Sequence, residues 1–160
     1  MQASGIGFKL QPHLEAPAMH ADSPCPVARG ADLLGDRWAL LVIRDAFDGV
    51  SRFGDFQRSL GAARNILSDR LRRLVEAGIL QLQPASDGSA YQEYVLTAAG
   101  LELFPLLVAL RQWSERHRFG AGEAHSSLIQ RDNGSAVPYM QPLDNNRQPL
   151  PAHATVVRKL

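Results

Sequence analysis

The stretch "NILSDRLRRLVEAGIL", Asn65 to Leu80, decides how the rest of the chain is read. At about 100° per residue, Leu67, Leu71, Leu74 and Val75 fall on one side of a helix, and that side faces a core. Asn65, Asp69, Arg72, Arg73 and Glu76 fall opposite, with Ser68 on the flank. On a helix that only meets water, Asp69 and Arg73 form an i,i+4 pair contributing about 0.2–0.5 kcal/mol, and for an isolated helix that reading suffices. The same set, two guanidinium forks with an amide and a hydroxyl, also fits a nucleic-acid groove. There guanidinium reaches phosphate or guanine, amide reaches adenine, and hydroxyl serves either. Arg70 falls beside the apolar stripe, which predicts a packed stem and a head paired with a carboxylate.

The neighbouring segments weigh against the isolated helix. Upstream, Ser51 is placed to cap a short helix, "RFGDFQRSL", that buries Phe53, Phe56 and Leu60 and ends at Gly61. A tight "GAA" turn leads into the quoted helix. After Gly78 the apolar period drops to about two, with "ILQLQP" and "YQEYVL" on either side of "ASDGSA", and Asp87-Gly88 marks a hairpin. Helix, turn, helix, hairpin is the order of a winged helix-turn-helix, whose second helix enters the major groove with its N-terminal residues at base edges.

Farther out, Pro26 after Cys25 starts a helix through "VARGADLL" to Gly35. Asp36 caps a second, "RWALLVIRDAF", with Trp38, Leu41, Val42 and Phe47 as its stripe. Thr97 is placed to cap "AAGLELFPLLVALRQWSERHRF", which is apolar on more than one side and should bend or split at Pro105. The fold class expected is therefore mainly α with a small β hairpin. The expected divisions are a flexible leader over 1–24, the winged domain over 25–119, and a Gly-, Pro- and Asn-rich extension over 120–160. In the extension "SSLIQR", "AVPYMQPL" and "ATVVRKL" are candidate short strands.

A chain of 160 residues and 17.5 kDa suits one main core. Its 45% apolar and 21% charged residues are ordinary for a globular protein. The formal charge is only +1, but Ser51 to Leu80 holds six arginines (52, 58, 64, 70, 72 and 73) against three acids, Asp55, Asp69 and Glu76. Positive charge thus gathers where a helix pair would meet a polyanion, with Arg52 and Arg64 at helix starts as phosphate or groove-edge ligands. Cys25 is the lone cysteine, which excludes an internal disulfide and a cysteine-rich zinc site and suits the cytoplasm. No run is long and apolar enough for a signal peptide or a membrane span. The histidines, His13, His20, His117, His125 and His153, sit in no HExxH pattern, and neither GxSxG nor a glycine-rich phosphate loop occurs. No catalysis, cofactor or metal is expected.

In combination, "CPVAR", "GDRW", "RFGDFQRSL", "NILSDRL", "LVEAG" and "EYVLT", in that order across Cys25 to Phe119, resemble the HxlR-type winged-helix transcriptional regulators of bacteria, relatives of the MarR group. The resemblance implies a homodimer joined through its first and last helices, a recognition helix from Asn65 onward, and a wing around Asp87 and Gly88. The surplus apolar surface of the 98–118 helix agrees, making Leu103, Leu107, Leu110 and Trp113 dimer candidates, with packing into the protomer's own core the alternative. A twofold dimer favours an inverted-repeat operator in double-stranded DNA.

Arg64, Asn65, Ser68, Asp69 and Arg72 are then the expected major-groove residues. Arg52 and Arg73 are expected on phosphates, and Ser86, Asp87, Gly88 and Ser89 in a wing near the minor groove. The expected activity is that of a repressor, with a small-molecule effector of unknown identity as a further candidate partner. Several relatives sense thiol-reactive compounds through the cysteine that Cys25 matches, and a helix N-terminus favours negative charge there. The plainer alternative is a small residue packed at a helix start. A winged helix that binds protein instead of DNA is the remaining alternative, for which the outward side of Asn65 to Glu76 should be aromatic or aliphatic.

Overall fold

The computed structural model describes residues 20–159. Helix α1 (Pro26–Leu34) starts on Pro26 and closes at Gly35. Helix α2 (Arg37–Phe47) is capped by Asp36, whose Oδ1 accepts from the backbone N–H groups of Trp38 at 2.9 Å and Ala39 at 3.2 Å. Such a cap contributes about 1 kcal/mol. Helix α3 (Phe53–Leu60) ends on Gly61, whose φ of 62° is left-handed, a conformation open to glycine without a Cβ clash. Ser51 does not cap this helix. Arg52 holds the cap position without a side-chain bond, and the Ser51 carbonyl instead accepts from Tyr94 N–H at 2.8 Å. That bond ties the start of α3 to the hairpin.

Helix α4 (Arg64–Glu76) follows after three residues. Strands β1 (Leu80–Pro84) and β2 (Gln92–Leu96) pair antiparallel, Leu80 opposite Leu96 and Pro84 opposite Gln92. Thr97 caps α5 (Ala98–Leu101) by accepting from Gly100 N–H at 3.1 Å, while its hydroxyl donates to Gly78 carbonyl at 2.5 Å. The long helix splits as expected. Pro105 has no N–H for the carbonyl of Leu101, so the helix breaks there and restarts as α6 (Phe104–His117) with proline in its first turn, where no partner is needed.

The core gathers Val42 and Ile43 of α2, Phe56 of α3, Leu67, Leu71 and Leu74 of α4, and Ile79 and Leu80 at the entry to the hairpin. Burying each side chain contributes roughly 1.5–3 kcal/mol, which fixes α4 against α2 and α3 by its apolar stripe. Gly100 is demanded by close approach, since a Cβ there would lie 2.2 Å from the Ile79 carbonyl oxygen. No helix among the described residues is long and apolar enough to cross a membrane.

Of the leader expected over 1–24, residues 1–19 lie outside the described residues, and so does residue 160 of the extension. The rest of the leader is tied to α1: His20 N–H donates to Asp32 Oδ2 at 2.6 Å, and Arg29 Nε to Ser23 carbonyl at 2.5 Å. The strands expected in the extension are reduced to two isolated antiparallel bridges, Ile129 with Ala136 and Leu143 with Pro149. A single 3-10 turn, Ala152–Ala154, opens the last segment. The chain doubles back at each bridge over turn residues, among them Gly134 (φ 70°) and Arg147 (φ 61°).

Candidate nucleic-acid interface

The outward side of α4 divides into two parts. At its N-terminal turn, Arg64, Asn65 and Ser68 are exposed, and the Arg64 guanidinium leans over the Phe53 ring at 4.9 Å. Farther along, Asp69 accepts from Arg70 and, at 2.8 Å, from Arg72, and Arg72 also donates to both carboxylate oxygens of Glu76 at 2.8 and 2.9 Å. Asp69 is thus occupied by two guanidinium groups, and it holds Arg72 in a set orientation.

Arg70 occupies the place predicted for it. It is largely buried, and its Nε lies 2.9 Å from Asp36 Oδ2 as an ion pair, although the N–H does not point along a hydrogen bond. Asp36 therefore caps α2 with one oxygen and anchors α4 with the other. Arg73, expected on a phosphate, has a partner within the chain. It is half-buried, and its Nη2 donates to the Asp32 carbonyl of α1 at 3.4 Å. Sequence alone puts it opposite the apolar stripe and shows nothing of the α1 carbonyl that it reaches.

The wing is anchored at its base and its tip. Glu93 is buried and accepts from Ser86 N–H and Oγ, each at 3.3 Å. Arg52 Nη2 donates to Asp87 Oδ2 at 2.5 Å and lies 3.5 Å from Glu93 Oε1, with its guanidinium 5.7 Å from the centre of the Tyr91 ring. Ser89 N–H donates to Asp87 Oδ1 at 3.0 Å, and Gly88, with φ 74°, makes the turn between them. The Arg52 hydrogen bond first, then those of Ser89, hold the Asp87 carboxyl well below the usual carboxylate range. A depressed value means that the tie is complete above the ordinary carboxylate pKa and fades only as pH falls through the lowered one. Near neutrality it is intact.

Between α3, the start of α4 and the wing lies an open concavity of about 650 Å³, with Arg52, Arg58 and Arg64 around it and Tyr91 and Gln92 on the wing side. Arg58, Gln57, Tyr91 and Gln92 carry no individual role in the sequence reading. Arg58 figured there only in the local arginine count, and Tyr91 and Gln92 reach the concavity only through the hairpin. Arg58 is highly exposed and pairs with Asp55 one turn earlier.

The four dimer candidates separate. Leu103 and Leu107 pack against the core, whereas Leu110 and Trp113 are 44% and 50% exposed. Phe104 and Leu106 of α6 and Val27 of α1 are exposed as well. Cys25, the N-cap residue of α1, is exposed, its N–H donating to Ser23 Oγ at 3.1 Å.

Helices α3 and α4 with the β1–β2 hairpin define a winged helix-turn-helix. Residues 33–120 match the HxlR-like helix-turn-helix family, and the chain belongs to that family. Its relatives include the uncharacterized HTH-type transcriptional regulator Rv3095 of Mycobacterium tuberculosis, 47% identical over 91 residues, a match covering 57% of this chain and 58% of that one. This chain thus spans less than two thirds of that relative's length. Among solved structures, PA1607, titled "a Putative Transcription Factor", shares 51% identity at a TM-score of 0.84, over 88% of this chain and 98% of its own. That share is too large for the winged domain alone, so the likeness takes in the extension. The redox regulator HypR in its reduced form is similar at a TM-score of 0.54 and 28% identity, over 59% of this chain and 94% of its own.

Proposed function

We propose that the chain is a sequence-specific, DNA-binding transcriptional repressor that acts in the cytoplasm as a homodimer on an inverted-repeat operator. The observation that carries this reading is the outward side of α4: Arg64, Asn65, Ser68 and Arg72 stand exposed with no large apolar side chain among them. A protein-binding descendant of the fold would present aromatic or aliphatic anchors there. Arg64, Asn65 and Ser68 contact base edges in the major groove. Asp69 and Glu76 orient Arg72 towards the same groove. Arg52 and Arg58 face phosphates across the concavity, and Ser86 to Ser89 approach the minor groove with Arg52 holding the wing in place. Arg73 serves as a tie to α1 in place of the phosphate role expected for it. Dimer contacts come from α6 through Trp113, with Leu106 beside it, together with α1, while Leu110, the other exposed dimer candidate, lines the concavity between α2 and α6. This sets two α4 helices about 34 Å apart, one turn of DNA.

Genomic binding-site mapping followed by anisotropy titration of the full chain on the recovered duplex tests this. Affinity should fall steeply with salt. Arg72→Ala should cost about 1–3 kcal/mol and relax one operator position. Equal losses on all sequences would reassign Arg72 to the DNA backbone, and salt-independent or absent binding would remove the DNA reading. A second reading, a thiol-responsive regulator switched at Cys25, has two observations in its favour: the thiol is exposed at the α1 N-cap, and a structural neighbour is a redox regulator. Loss of operator binding on treatment with diamide, absent in Cys25→Ser, would support it.

A further inference from the structure

A second concavity, of about 240 Å³, lies on the far side of α2 from the core, between α2, α6 and the start of the extension. Helix α2 has two apolar sides. Ala39, Val42 and Ile43 are buried in the core, while Leu40 and Leu41 are half-buried and turn towards α6. Leu107, Leu110 and Phe119 complete the apolar walls. Arg44, Arg111, Ser114, Glu115, His125 and Ser126 supply the polar part of the lining. Arg44 gives Nε and Nη2 to Asp45 Oδ1 at 2.9 and 2.6 Å, and no described residue accepts from its Nη1. Arg111 gives Nη1 to the carbonyl and Oγ of Ser126 at 2.9 and 3.0 Å and lies 3.6 Å from Glu115, leaving Nε and Nη2 without an acceptor among the described residues. His125 Nδ1 lies 4.0 Å from Glu115.

We propose that this cavity is a binding site for a small amphipathic carboxylate, with the apolar body between α2 and α6 and the carboxylate shared by Arg44 and Arg111. Asp45 and Glu115 already balance the two cations, so selection rests on unused guanidinium N–H groups rather than on net charge. A carboxylate is the acceptor that a planar fork fits best. The volume suits a body of roughly a dozen non-hydrogen atoms. An apolar concavity between α6 and residues 137–143 has no charged side chain in its lining and so offers no cation to orient a carboxylate. The extension builds the site: Ser126 fixes Arg111, and the Phe119 ring meets the His125 ring at 4.9 Å, tilted by 52°, to close one wall. Because α2 also packs on α4, a ligand that sets the spacing of α2 and α6 acts on the recognition helix. That regulatory consequence rests on the DNA-binding reading, but occupancy of the site does not.

The test uses the full chain without DNA and a matched set of probes, 4-phenylbutyrate, 4-phenylbutan-1-ol and 4-phenylbutylamine, titrated by amide and methyl NMR. The acid should bind about tenfold more tightly than the alcohol, and the amine should not bind. Shifts should centre on Leu40, Leu41, Leu110 and Ser126. Ser114→Trp, which fills the cavity, should abolish binding, and the wild-type shift map stands on its own if that variant fails to fold. Equal binding of acid and alcohol, shifts centred elsewhere, or no binding because a second copy covers the cavity would each overturn the proposal. Failure of operator binding with the acid still bound would remove the DNA reading and leave the site.

Discussion

The winged domain and the extension are held by different forces. From Val42 to Leu80 the side chains of α2, α3 and α4 interlock in a core where Phe56, Leu67, Leu71 and Leu74 are sealed from water. From residue 121 to 159 no residue is buried at all. The extension lies on α6 through polar grips instead. Gln112 Nε2 donates to Pro138 carbonyl at 2.9 Å while its Oε1 accepts from Met140 N–H at 2.8 Å, so one amide stands in for a strand partner. Arg116 lies 4.3 Å over the Tyr139 ring, and Arg111 holds Ser126. Apolar burial is non-directional and tolerates repacking, whereas these grips depend on individual donors and acceptors. The sealed core thus lies within α2, α3, α4 and the entry to the hairpin, while the described part of the extension is held at the surface of α6 by individual donors and acceptors.

Substitutions in the two regions should therefore differ in size and in kind. Leu71→Ala, in the centre of the core, should lower unfolding free energy by about 2–5 kcal/mol in urea titration, with winged domain and extension lost together. If the extension melted separately in wild type, the comparison would have to be redrawn as two independent units. Asp36→Ala removes a helix cap and the Arg70 anchor at once and should cost about 1–2 kcal/mol, more than Asp36→Asn, which keeps a capping oxygen. Equal losses in both variants would mean that the ion pair to α4 contributes little. Gln112→Ala should cost about 1 kcal/mol or less, leave the midpoint of unfolding almost unchanged, and speed amide exchange over 137–143 alone. A global loss of stability would place the extension inside the core's cooperative unit.

The apolar stripe of α4, the caps at Asp36 and Thr97, the stop at Gly61 and the break ahead of Pro105 were legible because each is set by residues within one turn of each other. Arg70 was legible for the same reason, since its angle on the wheel excluded the outward side. Ser51 was misplaced because serine suits a cap in isolation, and only the arrival of Tyr94 from β2 shows that its carbonyl is spent on the hairpin. The bond from Arg73 to the Asp32 carbonyl was not legible, because a wheel ranks residues around one helix and contains no neighbour. Leu103 and Leu107 look like Leu110 and Trp113 in sequence, and the packing of α6 on the core divides them.

By itself, the order of residues determined the helices, the hairpin, the apolar side of α4 and the arginine-rich stretch around it, because these follow from local backbone geometry and the period at which side chains recur. Tertiary structure decided which polar groups remain available. It tied Arg52 to the wing while leaving it beside the concavity, paired Asp69 with Arg70 and Arg72, gave Arg73 a carbonyl of α1, and left Arg64, Asn65 and Ser68 exposed. A charged side chain takes the nearest acceptor that the assembled fold presents, and that acceptor is often supplied by a segment dozens of residues away.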